Sequence, residues 1–69
     1  MKRLTIFDVV EALQKIRQIA DDSEHAHIAE DKLYVRVLTA IAKGKCESPA
    51  DCASMALESR HIKFSRWCA

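Results

Sequence analysis

Apolar residues recur along the first third of the chain at alternating spacings of three and four. Ile6, Val9, Leu13, Ile16 and Ala20 form one stripe over four turns, which Val10 and Ile19 widen. Glu11, Gln14, Lys15 and Gln18 face away from it. Thr5 stands ahead of this run with Asp8 three residues on, the spacing of a capping box, and Leu4 is placed to staple onto Val9. The pattern predicts a helix over about 5–21.

From residue 24 to residue 43 there is neither Gly nor Pro, and Gly44 offers a C-terminal stop between Lys43 and Lys45. Leu33, Tyr34, Val37, Leu38, Ala40 and Ile41 make a core face. Carried backward, that face meets Glu30 where an apolar residue belongs. A second helix over 24–43 is therefore expected either to project its first turns beyond the core or to begin late, near Ile28. Ser48, Pro49 and Asp51 then supply a cap, a first helical position and a capping-box partner. They predict a third helix over about 48–59, whose face runs through Ala53, Ala56, Leu57 and Phe64. Arg60 interrupts that face, so a separate turn is expected over 60–67. The whole of 1–69 reads as one all-α domain, a small antiparallel three-helix bundle with an extra C-terminal turn. Its core inventory is Ile6, Val9, Leu13, Ile16, Leu33, Val37, Leu38, Ile41, Leu57 and Phe64, thin enough to leave room for oligomerisation.

Helix two carries a second apolar line. Ile28, Val35 and Ala42 lie seven apart, on the side away from Leu33 and Val37. A three-helix bundle needs one broad apolar face per helix, so this line favours self-association or docking onto another protein. Trp67 is the residue of the ending KFSRWCA that joins it as a partner-binding candidate. The tail itself reads as a clasp: Phe64 continues the third helix's face, Trp67 closes the end of this chain's own core, and Lys63 and Arg66 point outward.

Composition narrows the alternatives. Apolar residues make 49% and charged residues 30% of 69 positions, with one Gly and one Pro, which is a foldable and helix-leaning balance. The net charge is +1, so electrostatic binding has to come from a local patch. Arg60, Lys63 and Arg66 recur every third residue beside Phe64 and Trp67, an arrangement suited to backbone contact and base stacking, and Lys43 and Lys45 extend it. Against a nucleic-acid module of this kind, residues 21–31 hold five acids and no Lys or Arg, which invites internal pairing with the tail. A helix-turn-helix fares no better, since helix three would present Asp51, Ser54 and Glu58 to phosphates.

Glu24, His27 and Asp31 share a helical face at a spacing used for iron in bundles, yet the converging carboxylates such centres need are missing apart from Asp8 and Glu11. The bland account is a set of first-turn acids complementing the helix dipole beside solvated histidines. Cys46 and Cys52, with His61 and Cys68 beyond, depart from the close pairs of zinc knuckles. Cys52 reads as a small core residue and Cys46 as a loop thiol. No metal or cofactor is expected, and with one Gly and no oxyanion pocket in prospect, neither is an enzyme. Three cysteines with no secretory leader point to reduced thiols in a cytoplasm, and no stretch is apolar enough to span a membrane.

IAEDKLYVRVLTAIAKG (28–44), SPADCASMAL (48–57) and FSRWCA (64–69) together resemble a group of small, mostly uncharacterised proteins carried by prophages and other mobile elements of proteobacteria. The resemblance transfers no functional residue. It implies a setting in which very small proteins bind and modulate host or phage proteins. The reading that results is a non-enzymatic helical interaction protein, dimeric or docked on a larger partner.

Overall fold

A computed structural model of the chain describes residues 2–66. It is an all-α bundle of three helices, α1 (Ile6–Gln18), α2 (Ser23–Ala42) and α3 (Pro49–Leu57), followed by a 3₁₀ turn over Glu58–His61. The capping box at the start of α1 forms as its spacing requires. The Thr5 hydroxyl accepts from the Asp8 N–H (3.3 Å), and the Asp8 carboxylate accepts from the Thr5 N–H (2.9 Å). Val9, Leu13 and Ile16 bury completely on the inner face of that helix.

α2 ends in a Schellman motif. Gly44 takes φ 68°, its N–H donates to the Ile41 carbonyl, and the Lys45 N–H donates to that of Ala40. The chain then meets its own N-terminal segment. The Leu4 N–H donates to the Lys45 carbonyl (2.8 Å) and the Glu47 N–H to the Leu4 carbonyl (2.8 Å), which makes an isolated parallel bridge between Leu4 and Cys46. Leu4, Cys46 and Cys52 are buried beneath it. Cys46 is therefore a core residue, not the loop thiol its position had indicated.

Two local expectations fail here. Ser48 does precede α3, with Pro49 at the first helical position, but it sits at φ 50° and its hydroxyl caps nothing. A capping side chain needs an extended backbone at that residue, and the left-handed geometry removes it. α2 begins at Ser23, capped by Asp22, and Ala26 in its second turn is wholly buried, so its first turns do not project beyond the core. α3 ends at Leu57, close to the expected 59, and a separate 3₁₀ turn follows it with Arg60 in solvent.

Of the expected core, Val9, Leu13, Ile16, Leu33 and Val37 are buried, and Ile6, Ile41 and Phe64 are partly so. Leu38 and Leu57 are not: they remain 66% and 49% exposed. Both face an open apolar groove between α2 and α3, where neither helix closes over the other.

Candidate functional site

Three places on α2 carry chemistry, and each begins from a residue that local periodicity handles badly. The first is Glu30, 4% exposed on the buried side of the helix. Its carboxylate is satisfied from a distance. Arg66 Nε donates to Oε1 (2.9 Å) and Nη2 to Oε2 (3.0 Å), a two-pronged pairing across 36 residues of chain. Ser59, fully buried within the 3₁₀ turn, donates its hydroxyl proton to Oε2 (2.7 Å), so Tyr34 must donate its own to Ser59. The guanidinium is held in turn by the carbonyls of Ser59 (2.7 Å), Ile62 (3.0 Å) and Phe64 (3.3 Å) and lies 3.8 Å over the Phe64 ring. Burial pushes the Glu30 carboxyl up, but the bonds from Arg66 and Ser59 outweigh it, and the net effect is a pKa below the ordinary value.

This clasp corrects the expected direction of Arg66. The basic ridge of Arg60, Lys63 and Arg66 does not exist as a unit: Arg60 and Lys63 are exposed, while Arg66 turns inward to neutralise a buried acid. Trp67, named for both partner and nucleic-acid binding, lies outside the described residues, as does Cys68.

The second place is an apolar groove between α2 and α3. Tyr34, Val37 and Leu38 form one wall, Ala53 and Ala56 the floor, and Leu57 the far rim. It encloses about 340 Å³ and is open along one side. Ile28 and Val35, the outward line on α2, are exposed as expected at 47% and 64%, and Ala42 is exposed too. Val35 stands one turn from Leu38, so outward line and groove form one continuous apolar area.

The third place lies on the opposite flank of α2, where Arg36, Thr39, Ala40 and Lys43 share a face. The Leu4–Cys46 bridge carries Lys2, Arg3 and Lys45 up to that face, and the five cations border one open groove with Asp8 at its edge. Lys43 and Lys45 do belong to a basic patch, but with Arg36 and the N-terminal segment instead of the tail. No sequence signal marks this meeting beyond the i, i+7 spacing of Arg36 and Lys43.

The remaining candidates stay apart. His27 Nε2 is 3.7 Å from Asp31 Oδ2, and Glu24 is exposed without joining them. His25 Nδ1 pairs instead with the cap residue, 2.6 Å from Asp22 Oδ2. Among the described residues no three His, Cys, Asp or Glu side chains converge on a common point. Cys46 and Cys52 are free thiols that both donate to the Glu47 carbonyl (3.6 and 3.2 Å). Burial first, and then neighbouring Cys46, push the Cys52 thiol up to about 11, far from a reactive thiolate. No helix among the described residues is long and apolar enough to cross a membrane. Comparison with protein-family models, with curated proteins and with solved structures finds no match to this chain.

Proposed function

We propose that this protein is a non-enzymatic interaction module that self-associates through the α2–α3 groove. The observation that carries the reading is an open apolar groove with small residues on its floor and large exposed ones at its rims. Ala53 and Ala56 leave a hollow, while Leu38 and Leu57 stand beside it as knobs 66% and 49% exposed. A two-fold contact requires one patch to supply both shapes, and this patch does. Leu38 of one copy fits over the alanine floor of its partner, and the reverse contact follows by symmetry. Val35, Ile28 and Ala42 extend the contact outward along α2. Two adjacent unbridged thiols suit a reducing compartment, so the proposed location is the cytoplasm. The resemblance to proteins of mobile elements fits a module whose role is binding instead of catalysis.

Sedimentation velocity over a concentration series tests it. A patch of this size should dimerise with a Kd of roughly 1–100 μM. Leu38→Glu, at an exposed position, should give a single-chain mass throughout with helicity unchanged. A wild-type chain that stays monomeric at about 1 mM, or a Leu38→Glu protein that still dimerises, overturns the reading.

A further inference from the structure

The five-cation groove has a different logic from the apolar one and does not depend on it. Lys2, Arg3, Arg36, Lys43 and Lys45 are five of the chain's eleven Lys and Arg residues, and one carboxylate, Asp8, lies among them. With a net charge of +1 overall, the rest of the chain is net acidic. Charge is thus segregated, although neutralising acids were available elsewhere. Among the described residues none of the five has a carboxylate within 4.0 Å, and none donates a side-chain hydrogen bond to protein. Arg66 has both. Gathering like charges without partners raises the energy of the fold, and an external polyanion relieves it.

The groove's backbone defines what kind of anion fits. The amides at the bridge and at the turn after α2 are already used: Leu4 N–H on Lys45, Gly44 N–H on Ile41, Lys45 N–H on Ala40. The turn after α2 therefore offers no nest of free N–H groups of the sort that holds one discrete phosphate. What remains free is a set of long cationic side chains. Arg36 and Lys43 alone are separated by about 10 Å along α2, against one phosphate per 3.4 Å of axis on each strand of a duplex. Among the described residues no aromatic side chain lines the groove, so they offer no platform for stacking unpaired bases.

We propose that this groove is a docking site for the phosphate backbone of double-stranded nucleic acid, contacted without regard to sequence. The test is fluorescence anisotropy of the full chain with two unrelated 20-base-pair DNA duplexes in about 50 mM salt. Both duplexes should bind with similar affinity, and log K should fall against log salt with a slope of about −2.7 to −4.5, as for three to five phosphate contacts. Lys43→Glu with Lys45→Glu should weaken binding about tenfold or more and flatten that slope. Arg60→Glu with Lys63→Glu makes the same change in net charge on exposed residues elsewhere, and should leave affinity within about twofold. All four positions are exposed, and circular dichroism checks that each variant is folded. Absence of duplex binding, equal losses in the two double variants, or tighter binding to the single strands would overturn the proposal. So would tighter binding to phosphatidylserine vesicles, which would assign the groove to lipid headgroups.

Discussion

The two halves of α2 treat charge in opposite ways. Toward its N-terminus one carboxylate, Glu30, is driven into the core and met by Arg66, Ser59 and, through Ser59, Tyr34. Toward its C-terminus Arg36 and Lys43 stay in water beside Lys45 and have no partner among the described residues. The difference is one of position on the helix, not of residue chemistry. A charge on the buried side must be matched atom for atom, because desolvation would otherwise destabilise the fold by several kcal/mol. On the wet side a charge is tolerated unpaired, and it therefore stays available to something else.

The contrast can be broken most severely at Arg66. Arg66→Ala strands the Glu30 carboxylate and removes the contact over Phe64, and should cost about 2–3 kcal/mol, the lower side of the buried-pair range because Arg66 keeps about a third of its side chain in solvent. In a domain this small, thermal melting should fall by more than about 10 °C. Arg66→Lys should recover only part, since an ammonium cannot span both carboxylate oxygens and the Ser59 carbonyl. A melting point within a degree or two of wild type would mean that the clasp contributes nothing.

Acid sharpens the comparison. The folded-state pKa of Glu30 lies below its ordinary 4.5, so its contribution to stability is present above that value and is lost as pH falls through the folded pKa. The stability difference between wild type and Glu30→Gln should thus be largest near neutrality and shrink as the solution is taken to about pH 3. A difference that holds constant across the range would remove the ionised carboxylate from the account.

The smallest effect belongs to the backbone clasp at the other end. Ser48 holds φ 50° with no hydroxyl cap to compensate. Ser48→Gly relieves that geometry but adds freedom to the unfolded chain, so a net gain of about 0.5 kcal/mol or less is expected in chemical denaturation. A loss would show that the hydroxyl has a role the geometry does not reveal.

The same division runs through what could be read in advance. The capping box at Thr5 and Asp8, the stripe from Val9 to Ile16 and the stop at Gly44 all depend on residues within a turn or two, and all were legible. Ser48, Pro49 and Asp51 gave an equally clear signal, yet the box did not form. The entry to α3 is fixed by the Leu4–Cys46 bridge, which comes from more than forty residues away. Glu30 was visible as a misfit and Arg66 as a cation, but nothing local joined them. Leu38 and Leu57 kept the spacing of core residues but face the open groove between α2 and α3 instead of the core.

By itself the sequence determined where three helices begin, turn and bury a stripe, because capping and amphipathic periodicity act between neighbours in the chain. Tertiary structure decided which charges are used up and which are left over. Burial and pairing depend on distances in space, and those exist only once Arg66 has reached Glu30 and Leu4 has met Cys46.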